Sequence, residues 1–138
     1  DVHSLSGQLL LIDDSYNANI DSVTAALVAL KQLAEGRRKV FVAGQMLELG
    51  DTSEQVHTRT AELAHEAGVS DILAIGEAAR PLARRARELG IATTYVDDAD
   101  QALAMIDQIV TDFDAVLVKG PHSSGAWRIA DYLKEVRA

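Results

Sequence analysis

Cysteine is missing from all 138 residues, which rules out disulfides, thiolate metal sites and cysteine nucleophiles. A chain without cross-links is held by its core, and 48% apolar residues over one domain's length suffice to build one. The same lack agrees with a reducing compartment, so a cytoplasmic location is expected. Long apolar runs are missing too: none could span a bilayer, and nothing at the start reads as a signal peptide. Positive charge is in deficit, with 13 Lys and Arg against 21 Asp and Glu and a net charge of −8. That balance argues against a nucleic-acid backbone or an anionic membrane surface as the main partner. A nucleotide stays compatible, because a few local groups and a magnesium ion can hold phosphates.

Chemical fingerprints are also lacking. No G-x-G-x-x-G follows the first apolar run, so the dinucleotide signature is missing. No G-x-x-x-x-G-K-[ST] occurs, so the sequence carries no triphosphate cradle of its own. There is no nucleophile elbow, and no His/Asp/Glu spacing resembles a metal cage.

What is present is a regular alternation. Apolar runs at residues 9–12, 40–43, 72–75, 92–96 and 115–118 are continuous, as in strands buried on both faces of a parallel sheet. Residues 2–5 add a candidate edge strand, with Ser6-Gly7 as the turn. Between the runs lie five segments of helical spacing. The first carries Val23, Ala26, Leu27, Leu30 and Ala34, then Gly36 as a stop. The second opens at Thr52-Ser53-Glu54-Gln55, which matches a capping box, and continues through Val56, Leu63, Ala64 and Ala67. The third presents Leu82, Ala83, Ala86 and Leu89 behind Pro81; the fourth Ala99, Ala102, Leu103, Ile106 and Val110; the fifth Ala126, Ile129, Ala130 and Leu133. This pattern predicts one α/β domain over residues 1–138. Its architecture is a Rossmann-like, open, mostly parallel sheet of five to six strands flanked by about five helices.

Ligands of such sheets bind beyond the carboxyl ends of the strands. The loop after the first run, Asp13-Asp14-Ser15-Tyr16-Asn17-Ala18-Asn19, packs carboxylates, a phenol and amides into seven positions. Carboxylates suit ribose hydroxyls, while amides and a ring can read or flank a base. Asn19 or Asp21 is also expected to cap the helix that follows. In Gly44-Gln45-Met46-Leu47-Glu48-Leu49-Gly50, the apolar side chains either tuck into the core or form a face against another domain. The last loop, Lys119-Gly120-Pro121-His122-Ser123-Ser124-Gly125, offers a cation, small residues and a helix start, which suits a carboxylate or phosphate. Ser123 or Ser124 is expected to cap that helix. His57 and His65 read as surface or half-buried residues, His3 as part of a loose chain start, and Trp127 and Tyr132 as packing residues.

These loops together resemble the signature segments of the Mur ligases. The Tyr16-Asn17-Ala18-Asn19 core is the most specific, the glycine-bracketed Met-Leu-Glu-Leu loop follows, and Lys119-Gly120 completes the set. The resemblance covers nearly the whole chain. It is nearest to the members that join D-alanyl-D-alanine to a UDP-N-acetylmuramoyl-tripeptide in peptidoglycan precursor synthesis. It implies the C-terminal domain of a three-domain enzyme that uses ATP and Mg2+. A central ATPase domain of the same protein would be the partner over which this one closes. Activation through an acyl phosphate is implied as well. Carried over by motif, Asp14 contacts the ATP ribose, and Tyr16, Asn17 and Asn19 shape the nucleotide pocket. Lys119, His122 and Ser123 meet the incoming dipeptide, with Lys119 paired to its carboxylate, and no catalytic base is assigned to this domain.

Some positions depart from the family pattern. Ile20 stands for a usual proline and Gln45 for a common aspartate. Pro121-His122-Ser123 stands for Ser-Arg-Ser, and histidine lacks arginine's bidentate grip. Two other readings share parts of the pattern. A phospho-receiver has an acidic pair and a final lysine, but Gly76-Glu77 occupies the place of its phospho-accepting aspartate. A folylpolyglutamate-synthase-like ligase domain carries a histidine in the first loop, and this loop has none.

Overall fold

Strands whose central residues are Val, Ile, Leu and Ala on both faces have no side to offer water, so they need cover on both sides. The computed structural model, which describes residues 1–138, supplies it. In chain order the elements are β1 (Val2–Ser4), β2 (Leu10–Asp14), α1 (Ile20–Leu33), β3 (Lys39–Gly44), α2 (Ser53–Glu66) and β4 (Asp71–Ile75). There follow α3 (Arg80–Glu88), β5 (Ala92–Val96), α4 (Ala99–Ile109), β6 (Ala115–Lys119) and α5 (Ala126–Val136). The six strands form one sheet in the order β1-β2-β6-β3-β4-β5. Only the β1–β2 pair is antiparallel.

Strand pleating divides the core in two. Ile12, Phe41, Ile72, Ala74 and Leu117 face α1, α2 and α3, while Leu11, Val42, Leu73, Val116 and Val118 face α4 and α5. β6, buried along its whole length, lies between β2 and β3. The chain therefore moves outward from β3 to β5 and returns to the centre on the other face. That reversal brings the ends of β2, β6 and β3 together, the place where such sheets bind ligands.

The predicted strands and helices are all found, with local differences. The run at 92–96 is an edge strand: Thr93, Thr94 and Tyr95 are only partly covered, because an open sheet must end somewhere. Asn19, not Asp21, caps α1. Its Oδ1 accepts from the Ser22 N–H at 2.9 Å, and Ser22 Oγ accepts from the Asn19 N–H at 3.1 Å. The capping box expected at Thr52 is absent. A cap residue needs extended backbone, whereas Thr52 is already helical, in a short 3-10 turn over Gly50–Thr52, and its hydroxyl donates to the Leu49 carbonyl at 2.7 Å. His3 is part of β1 rather than loose.

Candidate functional site

Asp14 and Lys119 are the last residues of neighbouring parallel strands and stand in register. Lys119 Nζ donates to Asp14 Oδ2 at 2.8 Å; the lysine side chain is 3% exposed and the aspartate side chain 45%. The expected free cation is therefore covered and already paired, while the carboxylate remains half-exposed with one oxygen engaged. Asp13 points the other way. It is buried, accepts from Lys134 Nζ at 2.7 Å and Ser15 Oγ at 2.5 Å, and so ties the loop to α5. Burial alone would push the Asp13 carboxyl up; hydrogen bonds from Lys134 and Ser15 and the Lys134 charge outweigh it and hold it below the usual carboxylate value.

Beyond the carboxylates the loop is open. Tyr16 is 79% exposed, Asn17 is exposed, and Asn19 spends its side-chain oxygen on the α1 cap. Next to this loop, the ends of β3 and β6 meet through a buried serine. Ser124 Oγ donates to the Pro121 carbonyl at 2.8 Å and accepts from the Ala126 N–H at 3.2 Å. A Cβ on Gly44 would run into this hydroxyl, and one on Gly120 would lie 2.6 Å from it. Both glycines are thus needed for the strand ends to come this close. The serine cap expected for α5 is absent: its N-cap position is Gly125, in the left-handed region, while Ser124 is buried before it and Ser123 stays exposed.

His122 is exposed and stacks on Trp127, ring centroids 5.1 Å apart and planes 10° from parallel. Trp127 therefore does act as a platform, for a side chain of its own loop. Tyr132 packs on the core as expected, its hydroxyl donating to Asp107 Oδ2 at 2.5 Å. The apolar loop after β3 splits: Met46 is in the core, Leu49 packs on it, and Leu47 is 49% exposed. Gln45 reaches sideways, its Oε1 accepting from the Ala78 N–H at 3.0 Å, so the loops after β3 and β4 are joined.

His57 departs furthest from expectation. It is fully buried, with Nε2 accepting from the Met46 N–H at 3.0 Å. Sequence reasoning also missed Asp13 and Lys134 as a pair. The signal for His57 was its helical spacing to Ala61 and Ala64, two small residues that mark the face pressed against the sheet.

The larger surface hollows lie elsewhere, for example one lined by Arg80, Arg84, Arg87 and Tyr95. The strand-end site is instead a ledge with its carboxylate and phenol outward. No three His, Asp or Glu side chains converge as a metal site would require.

The family described as Mur ligase, glutamate ligase domain matches residues 2–122. The chain belongs to the Mur ligase family. Among the relatives of this Mur ligase domain is the UDP-N-acetylmuramoyl-tripeptide–D-alanyl-D-alanine ligase of Escherichia coli K12. It is 32% identical over 136 residues, 95% of this chain and 28% of the relative. The enzyme of the same name from Mycobacterium leprae is 36% identical, covering 89% of this chain and 27% of that protein. A crystal structure of MurF from Acinetobacter baumannii superposes with a TM-score of 0.84 at 27% identity, covering 98% of this chain and 30% of that one. The Mur ligase domain here thus spans less than a third of the length of these proteins.

Proposed function

We propose that this chain is the C-terminal domain of an ATP-dependent ligase that adds D-alanyl-D-alanine to a UDP-N-acetylmuramoyl-tripeptide, in the cytoplasm, for peptidoglycan precursors. The names of the full-length relatives and the share of their length that it matches support this reading. The carrying observation is the Asp14–Lys119 pair at the reversal point of the sheet. In this reading ATP, with Mg2+ held by the central ATPase domain, supplies the phosphoryl group that activates the tripeptide carboxylate as an acyl phosphate for attack by the dipeptide amine. This chain's residues bind, orient and exclude water. Asp14 takes the ribose hydroxyls with its second oxygen, and Tyr16, Asn17 and the Asn19 amide nitrogen border the nucleotide. Lys119 holds Asp14 in place; its grip on the substrate side is exerted through that carboxylate, because reaching a dipeptide directly would leave Asp14 unpaired. His122 and Ser123, exposed on the adjoining loop, face the incoming dipeptide.

The test is an assay of the intact protein that carries this domain, with UDP-N-acetylmuramoyl-tripeptide, ATP and either D-alanyl-D-alanine or L-glutamate. Product with the dipeptide alone is expected. Turnover of glutamate in its place would defeat the proposal.

A further inference from the structure

The loop between β3 and α2 is built under tension. Glu48 sits at φ +62°, a left-handed conformation that a non-glycine residue holds only when its surroundings impose it. On either side, Met46 is sunk in the core and Leu49 packs on it, leaving Leu47 half-exposed. Beyond Gln45, which accepts from the Ala78 N–H, the side chain that links this loop to the body of the domain is His57, on the second turn of α2.

Both ring nitrogens of His57 face backbone groups whose roles cannot change. The Met46 N–H can only donate, so Nε2, at 3.0 Å, must be bare. The Ser53 carbonyl can only accept, so Nδ1, at 2.8 Å, must carry the proton. The tautomer follows from the backbone alone. The carboxylates of Glu48, Asp51, Glu54 and Glu77 are exposed and none hydrogen-bonds the ring; the Ser53 carbonyl alone favours the protonated ring, and burial outweighs it. A second proton on Nε2 would set two donors against each other inside the core.

We propose that His57 is a positioning residue: a buried, neutral, Nδ1-protonated imidazole that tethers the Met46 amide and so fixes the loop that presents Leu47 after the carboxyl end of β3. The loop it holds is continuous with Gly44, which Ser124 contacts, so the tether also steadies the last-loop residues opposite Asp14. That the loop serves ligation rests on the function proposed above; the tether itself does not.

The experiment has two arms. In the chain itself, nitrogen-detected NMR of the His57 ring is expected to show Nδ1 protonated and Nε2 bare, without titration between about pH 5 and 8. An Nε2–H tautomer, or an ordinary imidazole titration, would overturn the proposal. His57→Gln keeps an acceptor for the Met46 N–H, whereas His57→Leu removes it. Amide exchange at Met46 is expected to quicken by at least about tenfold in the leucine variant and to recover in glutamine, with Val42 and Leu117 unchanged in both. Equal protection of Met46 in both variants would sink the tether. In the intact ligase, kcat is expected to fall about tenfold for His57→Leu, with the KM for ATP little changed, and to be largely restored by glutamine. An unaltered kcat would remove the loop from the reaction while the NMR arm still judged the tether. Failure of the unsubstituted enzyme to use these substrates would count against the ligase reading alone.

Discussion

At the scale of single residues, the site is a matter of which charges are already spoken for. Lys119 is nearly sealed and paired with Asp14, so removing either side chain damages the same contact. In the intact ligase, Asp14→Ala is expected to raise the KM for ATP by about tenfold or more, with a smaller effect on the KM for dipeptide. Lys119→Met should do the same, and the double variant should be no worse than the poorer single one, since partners in one contact are non-additive. A steady-state double-mutant cycle measures this; additive losses, or a Lys119 effect confined to the dipeptide, would refute the shared role. The residue types of this site were legible in the sequence, and so was their placement on strand ends. Their pairing was not. Two adjacent aspartates read alike in a string of letters, yet pleating sends Asp13 to α5 and Asp14 to β6, and only the strand order tells which lysine each one meets.

At the scale of elements, periodicity was a reliable guide wherever the hydrophobic stripe alone decides a helix or strand. It was poorer at ends, where backbone conformation chooses between residues of equal chemistry. Asn19 caps α1 while Thr52, in a motif of better apparent fit, caps nothing. Asn19→Ala should cost about 1 kcal/mol of stability, read from urea unfolding of the chain, whereas Thr52→Val should cost a few tenths at most. A similar loss from both would mean that the second helix has the cap its sequence advertised. The edge position of β5 was signalled by Thr93, Thr94 and Tyr95 at the centre of its run, although which strand ends the sheet also depends on where β6 returns.

For the whole molecule, two of the buried ionisable groups, His57 and Asp13, have shifted pKa values that shape the response to acid. Burial lowers the His57 pKa, so the unfolded chain takes up a proton that the folded one refuses. Stability is therefore expected to decline as pH falls below the ordinary imidazole value of about 6.5. Asp13 acts later. Its folded pKa is lowered, so its contribution persists above the ordinary carboxylate value of about 3.9 and is lost only as pH falls through the folded value. Chemical denaturation across this range should show two descents, and His57→Gln should abolish the first while keeping the second. One descent surviving unchanged in that variant would show that the imidazole is not responsible.

The closure of Ser124 against Gly44 and Gly120 has a mechanical consequence. Loops fastened at their roots cannot flap separately, so any swing of this body toward a neighbour carries Asp14 and His122 along one arc. In the function proposed above, a nucleotide and a dipeptide on its two flanks would therefore meet one rigid set of contacts rather than two independent loops.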